Sequence, residues 1–295
     1  MLKKIMALSA ALLLGAAALT GCQSGEVGAN SSTAGSSGKN EPASSEAAKL
    51  TGTLTMAGST SMEKICGSLN EAFGEKNPDL TIDLQFGGSG AAITALNAGT
   101  AQIGNLSRAV KDSENPDGKF ETITIALDGI AVVVHKNNPV ADLTAEQLAS
   151  IFKKETTNWK DVGGEDKTIT LIGRETGSGT RDGFEEVLKV KDACQYDATL
   201  DSTGAVVARV ASDENAVGYV SFASVGDSVK ALKVGGVAPS EPTIADKTYT
   251  IQRPFVQAYL KNTKDTRVQA YVEFLKTDEA QKMILDAGLV PQKFW

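Results

Sequence analysis

Three times in this chain a β-favouring run ends in glycine and hydroxyl residues and passes directly into a helix. The stretch "MAGSTSMEK" places Ser59, Thr60 and Ser61 at such a junction, "FGGSGAAIT" places Ser89 and Gly90, and "GRETGSGTRDG" places Ser178, Gly179 and Thr180. The pattern restricts the architecture. Strands that feed helices in this way lie side by side with the helices packed over them, which is an α/β layer arrangement with mainly parallel sheets.

Periodicity fills in the rest. Strands are expected at 52–58, 80–86, 101–107, 167–174, 217–223 and 247–255. Helices are expected at 60–78, 91–99, 143–152, 178–189, 202–216, 265–275 and 278–288. Leu80, Ile82, Leu84 and Phe86 share one face of a strand, whereas Met62, Ile65, Leu69 and Phe73 recur at helical spacing. Thr144 and Gln147 form a capping box. Segment 121–139 holds two β-rich runs hinged near Asp128-Gly129.

The N-terminus stands apart from this pattern. Lys3 and Lys4 precede an apolar run from Ile5 to Leu19, followed by Leu19-Thr20-Gly21-Cys22. The order resembles a bacterial lipobox, so residues 1–21 are expected to be a lipoprotein signal peptide and Cys22 the lipidated first residue of the mature chain. An ordinary secretory signal with an incidental cysteine is the alternative. Residues 22–49 are mostly Ser, Gly, Ala and Asn and cannot bury enough apolar surface to order themselves, so they read as a tether. Such a protein would be lipid-anchored to the cell membrane on its extracytoplasmic face. About 245 residues remain, enough for two lobes with cores of their own.

The chain carries a formal charge of −7 with 5% aromatic residues, and loss of Lys3 and Lys4 makes it more acidic still. Nucleic acid is therefore not an expected partner. The one histidine, His135, cannot build a zinc site, and neither a metal nor a cofactor is expected. Beyond Cys22 the cysteines are Cys66 and Cys194, without metal-ligand spacing, and two free thiols are expected rather than a disulfide.

What the three junctions offer is anion binding. A helix N-terminus presents amide N–H groups without acceptors and the positive end of a dipole. Hydroxyls add donors, and glycine lets the backbone approach a ligand. For any one loop, simple helix capping is the competing reading. Arg174 at the mouth of the third loop can give two parallel bonds to a tetrahedral anion; the competing reading is a surface arginine paired with Glu175 or Asp182. The stretch "GNLSRAV" adds Ser107 and Arg108 as candidates.

The order of "AGSTS", "FGGSG", "IGNLSR", "DGIAVVV", "RETGSGTR" and "GYVSFA" resembles the phosphate-binding proteins of bacterial high-affinity phosphate ABC transporters (the PstS type) from about Thr51 to the C-terminus. The resemblance implies a two-lobed periplasmic-binding-protein-like fold of type II, with the ligand in the interlobe cleft. It implies lobe 1 at 50–129 plus 246–295 and lobe 2 at 130–245. It implies a monomer that captures inorganic phosphate for ABC permease subunits, with no chemistry on the ligand. The phosphate residues it carries over are Thr60, Ser61, Ser89, Arg174, Ser178, Gly179 and Thr180, with Ser59 sharing the first-loop role.

One departure concerns selectivity. Some members of that family have an aspartate where this chain has Ser107-Arg108, and a carboxylate there accepts the proton of hydrogen phosphate and repels sulfate. Asp128 is the candidate substitute for that acceptor, and Arg108 a candidate second positive charge. Receptors for sulfate, molybdate or a phosphonate share all other features. So does a surface adhesin or sensor on the same fold. A hydrolase using Ser89 would have to recruit His135 as its base, and "GRETGSGTR" lacks the lysine of a nucleotide-binding P-loop.

Overall fold

The computed structural model describes residues 49–292. The expected signal peptide, Cys22 and all but the last residue of the tether lie outside the described residues. In chain order the elements are β1 (Gly52–Gly58), α1 (Glu63–Lys76), β2 (Leu80–Phe86), α2 (Gly88–Ala98), β3 (Ile103–Leu106), β4 (Phe120–His135), β5 (Asp142–Leu143), α3 (Ala145–Phe152), β6 (Thr170–Arg174), α4 (Gly179–Val187), β7 (Ala198–Leu200), α5 (Thr203–Ser212), β8 (Ala216–Ser221), β9 (Val229–Ala231), β10 (Lys233–Val234), α6 (Glu241–Ala245), β11 (Gln252–Leu260), α7 (Thr266–Leu275), α8 (Asp278–Asp286) and β12 (Val290–Pro291).

The long sheet runs β2-β1-β3-β11-β4-β8-β6-β7, with β9 and β12 also paired to β4. Its wings are parallel, β1 with β2 and β3, and β6 with β7 and β8. These are the strands whose ends carry the loops. The centre is antiparallel, because β11 opposes β3 and β4, and β4 opposes β8. The fold is thus a mixed α/β architecture in two lobes, less uniformly parallel than strand–helix alternation alone implies.

Two hydrophobic cores define the lobes. In the first, Leu54, Met56, Leu69, Phe73, Tyr271 and Leu275 pack β1 against α1 and α7, while Ile93 and Leu96 of α2 cover the opposite face with Val256. In the second, Leu148, Phe152, Phe184 and Tyr219 pack α3 and α4 on one face, and Val206 and Val210 of α5 on the other. Each such side chain contributes about 1.5–3 kcal/mol by burial. Phe184 stacks on Tyr219 with ring centroids 4.1 Å apart, which fixes α4, and so the Ser178–Thr180 loop, against β8.

Segment 121–139 does not break at Asp128-Gly129. β4 is one strand of 16 residues that changes partner there. Gly129 pairs with Gln252 of β11, and the next residue, Ile130, pairs with Ser221 of β8. A Cβ on Gly129 would lie 2.7 Å from Cδ1 of Ile244, so the glycine lets the Ile244 side chain of α6 pack directly on the strand. The expected strand at 247–255 starts later, at Gln252, and continues to Leu260. Tyr249 and Ile251 are instead a buried crossing segment. Ile130 N–H donates to Ile251 O at 2.7 Å, and Tyr249 Oη donates to Ile130 O at 2.9 Å.

Candidate functional site

The loops at the ends of β1, β2 and β3 meet as one patch. Gly58 has φ 145°, and a Cβ there would sit 2.0 Å from Asn105 O, so only glycine lets β1 end against β3. Ser59 N–H then donates to Asn105 O at 2.9 Å and Ser59 Oγ donates to Ser107 Oγ at 2.8 Å. The Ser107 amide donates to Ser89 Oγ at 3.0 Å. Helix α2 begins three residues earlier than periodicity implies, at Gly88 with φ 82°, so Ser89 lies in its first turn.

The second lobe presses its own loops against this patch. Ser61 Oγ lies 2.8 Å from Thr180 Oγ1 and 3.0 Å from Thr203 Oγ1, and Thr60 Oγ1 lies 3.2 Å from Thr203 Oγ1. The Gly90 amide donates to Gly177 O at 3.0 Å. Gly179 enters so closely that a Cβ would be 2.4 Å from Ser89 Oγ and 2.6 Å from Ser107 Oγ. Ser178 caps α4 by accepting from Arg181 N–H, which leaves its own O–H as a donor. Ser59, Thr60, Ser61, Ser89, Ser107, Ser178, Thr180 and Thr203 are all buried. All but Ser107, which follows β3, sit at a helix start, namely the turn into α1, then α2, α4 and α5, and each start offers amide donors.

Arg174 is 1% exposed and is the only cation hydrogen-bonded to the hydroxyl cluster among the described residues. Glu175 grips its far edge, with Nε to Oε2 at 2.8 Å and Nη2 to Oε1 at 2.9 Å. Nη1 is turned the other way and donates to Thr203 Oγ1 at 3.1 Å. The glutamate therefore orients the guanidinium and balances its charge. Arg174 is paired with Glu175, as the competing surface-arginine reading has it, yet it is buried beside the cluster rather than on the surface.

Two candidates are placed elsewhere. Arg108 spends its fork on Glu114, at 2.8 Å and 2.7 Å, and its Nε lies 2.8 Å from Asp182 Oδ2. Its role is a bridge from the β3 loop to α4, not a second charge in the cluster. Asp128 is fully buried but does not face the hydroxyls. Ser221 Oγ donates to its Oδ1 at 2.8 Å, and Arg253 Nε and Nη2 donate to Oδ2 at 3.2 and 3.0 Å. These three donors occupy both carboxylate oxygens, and none of them belongs to the hydroxyl cluster. Burial pushes the Asp128 carboxyl up and the Arg253 guanidinium down, while their mutual attraction opposes both shifts.

Thr203 is a site residue that the sequence reading did not select. Its amide donates to Thr60 Oγ1 at 3.1 Å, and its hydroxyl joins Arg174 to Ser61. The signal was present, since "LDSTGAVV" repeats the strand, hydroxyl, glycine, helix order of the other three junctions. Ser221 and Arg253 carried no comparable local signal.

The PBP superfamily domain matches residues 43–279. The phosphate-binding protein PstS of Bacillus subtilis (strain 168) is 32% identical over 264 residues, covering 87% of this chain and 88% of the relative. PstS of Staphylococcus epidermidis is 31% identical, covering 87% and 84%. A Clostridium perfringens protein, solved with bound phosphate and described as a phosphate ABC transporter substrate-binding protein, superposes with a TM-score of 0.78 at 36% identity, over 82% of this chain and 100% of that one. An ABC-type phosphate transport receptor from Vibrio cholerae gives a TM-score of 0.68 at 35% identity, over 81% and 100%.

Proposed function

The chain belongs to the PBP superfamily and, within it, to the PstS phosphate-binding proteins, and on that premise we propose that it captures inorganic phosphate outside the cytoplasm and delivers it unaltered to an ABC permease. The observation that supports this reading is the meeting of four helix starts and their hydroxyls in one buried cluster, which the buried Arg174 joins through the bond from Nη1 to Thr203 Oγ1.

The phosphate shell comprises Ser59, Thr60, Ser61, Ser89, Ser107, Ser178, Gly179, Thr180 and Thr203, with Arg174 presented by Glu175. Arg174 is already balanced by Glu175, so the charge of the anion is dispersed over amide and hydroxyl dipoles rather than cancelled by a free cation. In a buried site these charge-assisted bonds are worth about 1.5–3 kcal/mol each. The ligand bonds to both lobes at once, to 50–129 plus 246–295 and to 130–245, and so stabilises their closed arrangement. The permease would read that arrangement. A lipid on Cys22 and the tether that follows would keep the monomer beside its permease.

The test is calorimetric titration of the anion-stripped protein with phosphate, then sulfate. Saturable phosphate binding is expected, together with near-complete loss in Arg174→Ala, where the Glu175 carboxylate is left facing the anion. Sulfate should compete measurably, because no carboxylate hydrogen-bonds to the hydroxyl cluster among the described residues. Absence of phosphate heat, or turnover of a chromogenic phosphate ester, would overturn the receptor reading.

A further inference from the structure

Two guanidinium groups in this molecule are presented in the same way. Arg174 is held by Glu175 through Nε and Nη2, leaving Nη1 for the hydroxyl cluster. Arg253 is held by Asp128 through Nε and Nη2, and its Nη1 is buried with no hydrogen-bond acceptor among the described residues. Arg253 is only 4% exposed. A buried donor left without an acceptor is costly, and a folded protein rarely tolerates one that serves nothing.

Position ties Arg253 to the oxyanion site. A Cβ on Gly183 would be 3.6 Å from both Cβ and Cδ of Arg253, so the arginine lies along α4. Gly183 is one turn beyond Gly179 and Thr180, on the same side of the helix. Its small size lets the arginine pack against α4 one turn below the Gly179–Thr180 start. The charged and titratable groups that face Arg253 are Asp128 on β4, Arg174 on β6 and Tyr219 on β8. Arg253 is thus within electrostatic reach of Arg174, and Asp128 offsets the repulsion between the two cations.

We propose that Arg253 is a second anion-reading guanidinium, whose Nη1 donates to the captured oxyanion while Asp128 serves as its orienting partner. This rests on the oxyanion-receptor reading above. A second buried N–H favours the more highly charged form of the ligand, so Arg253 sets a preference for the dianion of phosphate over the monoanion.

The experiment is titration of the protein with inorganic phosphate between about pH 5.5 and pH 8.5, where phosphate groups change charge. The wild type is compared with the double variant Asp128→Asn/Arg253→Gln, which removes both charges and leaves neither unpaired. The variant should bind phosphate about tenfold or more weakly at the alkaline end, the effect of one charge-assisted hydrogen bond, and less weakly at the acid end. Its pH profile should flatten. Arg253→Lys, which can pair with Asp128 but has no second arm, should show the same flattening if the double variant does not fold. A variant that melts lower yet keeps the wild-type affinity and pH profile would overturn the proposal and leave Arg253 a structural residue. A wild type that gives no phosphate heat would overturn the receptor reading and this proposal with it.

Discussion

Arg108 Nε lies 2.8 Å from Asp182 Oδ2, and the contact joins the loop after β3 in one lobe to α4 in the other. Lys111 reaches the same carboxylate at 2.7 Å. Asp182 therefore holds two first-lobe cations against the helix whose N-terminus faces the hydroxyl cluster. It touches none of the cluster hydroxyls itself, so it can bias closure without being a ligand.

Asp182→Asn should accordingly weaken phosphate binding through closure alone. The expected loss is about two- to fivefold, the worth of a partly exposed ion pair, and it should shrink as salt is raised. Calorimetry at two ionic strengths checks it. A loss that is the same at both would mean that Asp182 acts on the ligand directly.

Gly179→Ala should be much more damaging to binding than to folding. The new methyl would overlap Ser89 Oγ and Ser107 Oγ, two hydroxyls of the opposite lobe. Overpacking costs about 1–3 kcal/mol, roughly ten- to a hundredfold in affinity. The melting temperature without ligand should hardly move, because the lobes can relax apart. Equal loss of stability and affinity in a thermal scan would argue that the contact belongs to the core.

Burial acts to raise the Glu114 carboxyl, but bonds from Arg108 and the Lys111 backbone outweigh it and hold the group below its usual range. A carboxylate depressed in the folded state stabilises above its unfolded pKa, and the benefit disappears as pH falls through the folded value. Glu114→Gln should cost about 1 kcal/mol at neutral pH and progressively less below about pH 4. Denaturant melts of both proteins across that range provide the measurement.

The thiols should be quiet. Burial pushes the Cys66 thiol up to about 12, and the half-buried Cys194 thiol up to about 11, and both are free. A thiol reagent near pH 8 should label neither quickly in the native protein and both at once in denaturant without reductant. Rapid native labelling at Cys194 would place that loop in solvent.

How much of this was legible in the sequence depends on the range of the contact involved. The hydroxyl loops were legible because a strand, a capping residue and a helix start are neighbours in the chain. The pairing of Thr144 with Gln147 emerged for the same reason. Arg253 was not legible, since its partner Asp128 is 125 residues away and meets it only through strand register. The same distance hid the role of Asp128, whereas Arg108 turns to Glu114 only six residues on and to Asp182 of the other lobe. Each is a charged residue beside a plausible motif, and only the packed fold shows which way its side chain turns. The two runs within 121–139 looked separable because Asp128-Gly129 is turn-like by composition. What keeps them continuous is β11, which lies beyond the expected 247–255 strand for about half its length and pairs with β4 from Phe120 to Gly129.

That continuity has a mechanical consequence. With β4 unbroken through Gly129, and with both the N–H and the C=O of Ile130 held by the crossing segment at Tyr249–Ile251, no single bond is free to swivel. The junction behaves as a leaf spring, in which small torsions spread over two laced spans store and return the work of bending. Its stiffness, more than any one side chain, would then set how much of the grip on an ion is given back each time the jaws let go.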